Sequence, residues 1–401
     1  MVSMPIDLSA QEKFKYLLFS SLYFSEGLYQ ALILIVTPIY LIDKGISLPL
    51  VTLISGIGYL PWGLKFVWGG IIDFFHKYGR KKFAVFGTIA GAIGFFILSF
   101  IDNFFSLVFF TIFLLLGYVG IGFLDSATDA WAIDISKKDE RGKINCSMNI
   151  GKWVGQYIGA LIIISIAVSF GYSISFMVSG LLILVLVLIP LSVKYEDRKI
   201  DRLRIWSLIR TEFKKITTRL TTLYFFVIVL QHALFFTFLV LYLKVVLDLN
   251  DTSIGMLFAL WLVMVVPGSI VGGIISDKYG RKRPLYIFLI IVMILSVTPI
   301  FLSDYIHLIV NFSILLFFLN GIISGNWAMI MDIINPKISA SQHEIICSIV
   351  NFGSIIIGSA TGTLFILIGA DNIFILIALL TLVSIMILYT VKGLDDMKWN
   401  S

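Results

Sequence analysis

The sequence predicts an all-α integral membrane protein with twelve transmembrane helices in two six-helix bundles. Three observations predict this: the apolar content, apolar runs of bilayer length, and a basic turn that occurs twice. Of the 401 residues, 59% are apolar and 13% are charged, and the mean hydropathy is +1.00. A water-soluble protein of this length cannot bury so much apolar surface, so most of the chain is expected to lie in lipid. The runs are continuous rather than alternating, which excludes a β-barrel.

Apolar runs long enough to cross a bilayer recur from one end of the chain to the other. About 20 apolar residues cross the hydrocarbon core as a helix. Spans 1 to 12 cover about residues 16–42, 50–75, 83–101, 104–134, 143–169, 172–194, 221–247, 252–276, 284–302, 305–334, 344–369 and 371–391. These spans predict an N-terminal bundle in residues 1–195 and a C-terminal bundle in residues 221–401.

The linker between the bundles, residues 196–220, is the one long connection. Its apolar residues recur at helical spacing with Arg and Lys between them: Leu203, Trp206, Ile209, Phe213 and Ile216. This pattern predicts a helix that lies on the inner membrane surface. A flexible charged linker is the alternative.

A polar, basic turn closes span 2 and recurs after span 8. The first copy is Asp73 followed by Gly79-Arg80-Lys81-Lys82, and the second is Asp277 followed by Gly280-Arg281-Lys282-Arg283. A feature repeated at the same place in two hydrophobic halves is typical of a duplicated membrane bundle.

The basic residues behind the net charge of +6 lie mainly on alternate loops. They are concentrated in the loops after spans 2, 4, 6, 8 and 10, and few lie on the opposite loops. The positive-inside rule therefore predicts that both termini are cytoplasmic, and we expect the plasma membrane as the location. Because the basic charge is explained by orientation, no nucleic-acid partner is expected.

This topology can be tested by labelling with a membrane-impermeant thiol reagent. After Cys146 and Cys347 are replaced by serine, a cysteine at Asp371 is expected to react from outside the cell. A cysteine at Ser207, in the linker, is expected to react only after permeabilisation. Labelling of the Ser207 position in intact cells would contradict the twelve-span arrangement.

Two sets of residues carry a resemblance to known transporters. The run from Gly273 to Lys282 resembles the Gly-x-x-x-Asp-x-x-Gly-Arg-Lys loop of the major facilitator superfamily, whereas the first copy has three extra residues between Asp73 and Gly79. The second set resembles one branch, the AmpG-type muropeptide permeases and related acetyl-CoA transporters: Pro61, Leu64-Lys65-Phe66, Trp68, Asp73, Ser126-Ala127-Thr128-Asp129-Ala130, Asp134 and Asp139-Glu140-Arg141-Gly142. The resemblance implies alternating access around a cavity lined by spans 1, 4, 7 and 10. It also implies uptake of sugar-peptides or nucleotide conjugates.

Four ionisable residues lie well inside the first bundle: Glu26, Lys65, Asp125 and Asp129. At 1.5 Å per residue, the first three lie at similar depth, about 12–15 Å from the cytoplasmic end. Each costs about 2.5–3.5 kcal/mol to place in mid-membrane. One lysine cannot neutralise three carboxylates, so a carboxyl group is expected to hold a proton, as proton coupling requires. The alternative is a structural Lys65–Asp125 salt bridge. Gln30 is assigned to the same cavity.

The second bundle carries neutral hydrogen-bonding groups where the first carries charges. Span 7 has Gln231 and His232, and span 10 has Asn320, Asn326 and Trp327. These residues are suited to holding a polar ligand. A packing role for His232 is an equal alternative.

A charge network at the inner surface is expected to act as a conformational latch between the bundles. We assign to this latch Asp73, Arg80, Asp134, Arg141, Asp277 and Arg281. Small residues four apart let helix backbones approach closely. Such stripes are expected to form the sliding surface between the bundles: Gly151, Gly155 and Gly159, then Gly268 and Gly272, then Gly358 and Gly362.

The sequence thus predicts a secondary transporter that moves a polar organic solute with protons. A uniporter, an exchanger or a drug-type efflux carrier is the alternative, and a sensor or channel is a remote one. Motifs for a metalloprotease, a serine hydrolase or a P-loop ATPase do not occur, so neither an enzyme nor a cofactor or metal is expected. The expected partners are a small-molecule substrate, protons and the lipid bilayer, and the expected state is a monomer.

Overall fold

The computed structural model describes residues 6–7, 12–75, 78–100, 106–135, 141–194, 205–335 and 338–391. The chain is almost wholly helical in these ranges. The elements of the N-terminal half are β1 (Ile6–Asp7), α1 (Glu12–Ala31), a π-helical segment (Leu32–Val36), α2 (Thr37–Asp43), α3 (Leu48–Gly58), α4 (Leu60–Gly63), α5 (Lys65–Phe74), α6 (Arg80–Leu98), α7 (Leu107–Ile135), α8 (Arg141–Phe170), α9 (Tyr172–Leu186), α10 (Leu188–Leu191) and β2 (Val193–Lys194). The elements that follow are α11 (Ile205–Glu212), α12 (Ile216–Leu241), a π-helical segment (Tyr242–Val246), α13 (Asp251–Tyr279), α14 (Lys282–Val297), a 3-10 segment (Thr298–Phe301), α15 (Tyr305–Ile333) and α16 (Ser339–Thr390).

The predicted spans are confirmed within the described residues. Eleven helical stretches are long and apolar enough to cross a bilayer. The last of them belongs to α16, which has non-helical backbone at Gly369 (φ 79°, ψ 169°) and so contains spans 11 and 12. Large apolar side chains point outward along these helices, as expected of a surface in lipid, with Phe86 58% exposed and Ile274 60% exposed.

The chain divides into two compact units. Unit 1 comprises Met1–Ile46, Ile57–Asp201 and Asp248–Ala259, and unit 2 comprises Ser47–Gly56, Arg202–Leu247 and Leu260–Ser401. These units differ from the predicted bundle bounds at two helix ends and within the predicted linker, which is divided between Asp201 and Arg202. The first turns of α3 group with unit 2, and the first turns of α13 group with unit 1.

The two halves repeat the same backbone turns. Gly79 and Gly280, the glycines of the two basic turns, have φ angles of 86° and 83°, a left-handed conformation that side chains with a Cβ rarely adopt. Positive φ also recurs at matching loops in the pairs Gly45 with Asp248 and Gly171 with Gly369. The duplication predicted from one turn is therefore visible at three places in each half.

The linker forms a short helix that docks on unit 2. Only its later part is described: Leu203 lies outside the described residues, as does the side chain of Trp206. In α11, Ile209 is buried and Glu212 is 5% exposed. The Oε1 atom of Glu212 accepts a hydrogen bond of 2.8 Å from Nδ2 of Asn335, which follows α15. This bond anchors the linker helix to the end of span 10.

Two of the three glycine stripes pack against a helix of their own predicted bundle, so the prediction of a sliding surface is wrong for those two. Gly155 faces the backbone of α1 at Phe24 and Gly27, and its neighbours Gly151 and Gly159 face the same helix. Gly268 and Gly272 face Phe317 and Gly321 of α15, within unit 2. The third stripe, Gly358 and Gly362, faces the first turns of α3, which also group with unit 2.

The contact between α1 and α8 is expected to be intolerant of even one methyl group. A Cβ at Gly155 would overlap the carbonyl oxygen of Phe24, so the helices would have to separate. Gly155→Ala should therefore destabilise the protein by about 1–3 kcal/mol. Gly70→Ala is the matched control, because nothing lies within 4 Å of that position. Thermal unfolding in detergent provides the comparison, and equal melting temperatures for the two variants would contradict the assigned contact.

Candidate functional site

The site in unit 1 begins at a break in span 2. Helix α3 ends at Gly58 and α5 begins at Lys65, with the short α4 between them. Pro61 in α4 has no backbone N–H to continue the helical ladder. The indole Nε1 of Trp68 donates a hydrogen bond of 2.7 Å to the Pro61 carbonyl oxygen. The break therefore places Lys65 at the first position of α5. The Trp68 side chain supplies the hydrogen bond that the Pro61 carbonyl oxygen accepts there.

Lys65 binds two carboxylates of α7 at once. Its Nζ lies 3.1 Å from Oδ2 of Asp125 and 2.8 Å from Oδ2 of Asp129. The three side chains are 6%, 4% and 15% exposed respectively. The predicted i, i+4 face of Asp125 and Asp129 is thus present, and both carboxylates share one ammonium.

Tyr23 of α1 completes this group and was not predicted from the sequence. Its hydroxyl donates to Asp129 and lies 3.4 Å from Oδ1 of Asp125. We call Tyr23, Lys65, Asp125 and Asp129 the Lys65 centre. Tyrosine is uncharged, and at its position in span 1 it is indistinguishable by sequence from a packing aromatic.

The expectation of a single buried lysine is wrong. Nζ of Lys152, on α8, lies 2.8 Å from Oε1 of Glu26. Gln30, one turn further along α1, donates to the same oxygen from 3.3 Å. Lys152 lies nine residues into the predicted span 5, roughly 14 Å deep, so the depth argument used for the other charges could have found it.

The close approach of α1 and α8 creates this second pair. A Cβ at Gly27 would overlap the carbonyl oxygen of Lys152. Because Gly27 of α1 and Gly155 of α8 meet at this crossing, the helices lie close enough for Glu26 and Lys152 to reach each other across it. Together the two groups hold three carboxylates, Glu26, Asp125 and Asp129, against two lysines. One negative charge is in excess when all five are ionised.

The three predicted amides of unit 2 are buried, but the structure does not join them into one bonded group. Gln231, Asn320 and Asn326 are each 0% exposed. Nδ2 of Asn320 donates to the Leu316 carbonyl oxygen, whereas Oδ1 of Asn320 and both amide atoms of Gln231 lack a hydrogen-bond partner among the described residues. These amides on α12 and α15 thus have donor and acceptor atoms that a ligand could bind.

The aromatic rings of unit 2 pack on one another. The Trp327 ring lies edge-on to Phe225, with centroids 4.8 Å apart, and 5.5 Å from the ring of His343. The His232 ring lies 4.6 Å from Phe236, and its Nε2 has no described partner. Both rings therefore have packing contacts, which for His232 was the stated alternative to ligand binding.

The described residues of the predicted latch form ion pairs inside each unit. Arg80 at the start of α6 lies 3.4 Å from Asp134 of α7 in unit 1. In unit 2, Arg281 pairs with Asp277 and lies 2.7 Å from Asp332 of α15. Burial acts to lower the pKa of Arg281, but its bonds to the Asp332 and Asp277 carboxylates outweigh it and raise that pKa.

These pairs staple neighbouring helices of one unit, and a latch between the bundles stays a prediction. The side chains of Asp73 and Arg141, which belong to the predicted latch, lie outside the described residues. Asp332 was missed, although it ends span 10 as Asp134 ends span 4, and the repeat could have indicated it.

The two carboxylates bound to Arg281 should contribute unequally to stability. The Asp332 side chain is 19% exposed and binds both Nε and Nη2 of Arg281, whereas Asp277 is 72% exposed. Asp332→Ala should lower the free energy of unfolding by about 2 kcal/mol, because it leaves Nε and Nη2 of a half-buried guanidinium without their carboxylate acceptor. Asp277→Ala, the matched control, should cost less than about 1 kcal/mol. Melting temperatures in detergent measure the difference, and the reverse order would contradict the staple.

One surface depression and the metal-ligating side chains of the described residues were compared with the buried charges. A surface depression of about 440 Å³ lies against Tyr16, Cys146, Ser147 and Ile150, at the first turns of α1 and α8. None of the buried charged residues lines it. The candidate site is therefore defined by the positions of those charged residues and not by this depression. Among the described residues, no group of three or more His, Cys, Asp and Glu side chains could hold a metal ion.

A comparison with protein-family models decides the family. The model described as Major Facilitator Superfamily matches residues 19–342. The chain belongs to the Major Facilitator Superfamily. Members of this superfamily are transporters rather than enzymes, and the predicted fold class is confirmed.

A solved structure shows the same fold. The bacterial homologue of the human lysosomal transporter Spinster, in an inward-facing and unoccupied conformation, superposes with a TM-score of 0.78. The alignment covers 94% of this chain and 96% of that protein, at 13% sequence identity, so the likeness concerns the fold alone. The comparison with curated proteins gave no match. The chain is thus an integral membrane protein of a family that carries small molecules, and its fold is consistent with secondary active transport by alternating access.

Proposed function

We propose that this protein is a proton-coupled secondary transporter of a polar organic solute, and that the Lys65 centre carries the proton. The observation that supports this most is the sharing of one buried ammonium by Asp125 and Asp129. A second ionised carboxylate next to the first is expensive in a low-dielectric site, unless a proton or another cation joins it.

The proton and the alternation between the two access states are linked through charge. With one proton bound, the five groups around Lys65 and Lys152 have no net charge, and rearrangement of the unit moves no uncompensated charge through lipid. When the proton leaves, one negative charge remains and disfavours the rearrangement. Protonation on one side and release on the other would therefore let a pH gradient bias the exchange between the two access states.

A carrier without proton coupling is the second candidate, and one observation favours it. Lys65 contacts both carboxylates and Tyr23 donates to Asp129, which is also what a purely structural salt bridge needs. A uniporter, an exchanger or a drug-type efflux carrier would be compatible with that role. A transporter-like sensor or a channel is the remote alternative, which counterflow in proteoliposomes distinguishes because only a carrier shows it.

The finer assignments rest on the sequence. The AmpG-type resemblance favours uptake of a muropeptide or of a sugar or nucleotide conjugate, and the buried amides of Gln231, Asn320 and Asn326 suit such a polar ligand. The distribution of Lys and Arg supports cytoplasmic termini in the plasma membrane. A monomer is proposed as the transporting state.

Transport in proteoliposomes under an imposed pH gradient tests the proposal. The solute is first found by thermal-shift screening of the purified protein, because a bound solute raises the melting temperature by mass action. Wild-type vesicles should accumulate that solute when the pH gradient is imposed, and a protonophore should abolish the accumulation. Accumulation that is indifferent to both would remove the proton and leave the facilitator or exchanger.

A further inference from the structure

The Glu26–Lys152 pair differs from the Lys65 centre in that it is incompletely satisfied. Glu26 is 1% exposed, and its Oε1 receives bonds from Lys152 and Gln30. Its other oxygen, Oε2, is buried and has no hydrogen-bond partner among the described residues. Buried carboxylate oxygens normally have such a partner, so this oxygen is available to a donor.

Lys152 can donate further hydrogen bonds to a ligand. Its side chain is 23% exposed, in contrast to 6% for Lys65. An ammonium has three donors, and the hydrogen bond to Glu26 uses one of them. A buried acceptor and a partly exposed donor thus lie next to each other, with the half-buried Gln30 at their edge.

We propose that the Glu26–Lys152 pair binds the α-ammonium and α-carboxylate of a neutral amino acid, and that this amino acid, rather than the conjugates that the AmpG-type resemblance favours, is the transported solute. This inference rests on the proposed transporter function. The solute ammonium would donate to Glu26, and the solute carboxylate would accept from Lys152. The protein's ion pair would be exchanged for two pairs with the solute, so no charge is left alone. Nζ of Lys152 lies 2.8 Å from Oε1 of Glu26, and the ammonium and carboxylate of an α-amino acid are similarly close to each other.

Solutes with a single charge fit less well. An anion that takes Lys152 leaves Glu26, which is 1% exposed, as an unpaired buried carboxylate. A cation that takes Glu26 leaves the Lys152 ammonium without its partner. A zwitterion leaves neither group alone, and the hydrogen-bonding amide of Gln30 can join it.

The zwitterion also leaves the proton's site intact. A solute with no net charge does not alter the charge excess of the three carboxylates and two lysines. Proton and solute therefore would not compete, and both could be bound at the same time. A cationic solute would instead replace the proton.

Matched analogues test the charge pattern on the purified full-length protein. L-serine, L-leucine and L-phenylalanine sample side-chain size. For each, the methyl ester provides the cation and the N-acetyl derivative provides the anion. At least one free amino acid is expected to raise the melting temperature, and its ester and N-acetyl derivative should have at least ten-fold weaker apparent affinity. Equal or tighter binding of either derivative, or no response to any free amino acid, would overturn the proposal.

Variants then locate the site. Glu26→Gln and Lys152→Met should each abolish the response to the free amino acid, and Lys152→Arg should retain part of it. Lys214→Ala, an exposed lysine of the linker region, is the control and should bind like the wild type. If Glu26→Gln does not fold, Glu26→Asp takes its place, and an unchanged affinity of either variant would overturn the assignment.

Counterflow separates this inference from the proton proposal. Amino-acid counterflow that is present but insensitive to a pH gradient would sustain the zwitterion site and remove the proton coupling. Proton-driven accumulation of a solute that is not a zwitterion would do the reverse.

Discussion

Replacing Lys65 by alanine should abolish transport and strongly destabilise the protein. The ammonium of Lys65 lies within 3.1 Å of Asp125 and 2.8 Å of Asp129, and all three side chains are largely buried. Without it, two carboxylates face each other with the Tyr23 hydroxyl as the nearest described donor. Removal of one partner from a buried ion pair typically costs about 3–5 kcal/mol.

A second variant separates the effect of losing the Lys65 charge from the effect of losing the volume of its side chain. Lys65→Met keeps the length of the side chain and removes only the charge, so it should behave like Lys65→Ala in transport. Adding Asp129→Asn to Lys65→Met should recover much of the melting temperature, because the double variant no longer strands that carboxylate. Thermal unfolding and counterflow would be measured on each. A Lys65→Met protein with wild-type counterflow would exclude any role of the centre in transport.

The spans and turns were predictable because their signals are local. Hydropathy over about 20 residues depends on the lipid solvent and on no distant contact. The Gly-Arg-Lys turns were recognisable for the same reason. The positive φ angles of Gly79 and Gly280 are a local property of each turn and do not depend on distant contacts. The break of α16 at Gly369 also coincides with the predicted boundary between spans 11 and 12.

The site was only partly predictable, because its contacts join residues far apart in sequence. Asp125 and Asp129 share a helix face, so their proximity follows from helix geometry. The Glu26–Lys152 pair spans 126 positions and depends on the crossing of α1 and α8. Small residues four apart indicate that some helix approaches closely, but they do not say which one. For this reason the glycines of α8 were assigned to a sliding surface although they face α1.

Asp125→Asn and Asp129→Asn should have different effects, with Asp125 as the proton carrier. Asp129 accepts both the shorter Lys65 contact and the Tyr23 hydrogen bond, so its ionised form has more donors. Asp125 is less exposed, at 4%, and its contacts are longer, 3.1 Å to Lys65 and 3.4 Å to Tyr23. The proton is therefore expected on Asp125, and Asp129 is expected to remain the ionised partner of Lys65.

The expected result is that Asp125→Asn vesicles exchange solute but do not accumulate it, because exchange needs no net movement of protons. In the wild type, accumulation should rise as the pH on the uptake side is lowered, since protonation loads the carrier. In Asp125→Asn this dependence should vanish, and Asp129→Asn should lose exchange as well.

Asp304→Asn, which changes an exposed carboxylate outside the spans, is the matched control and should keep the wild-type pH response. If Asp125→Asn accumulates solute in proportion to the pH gradient, the proton is carried elsewhere and the assignment of Asp125 is wrong.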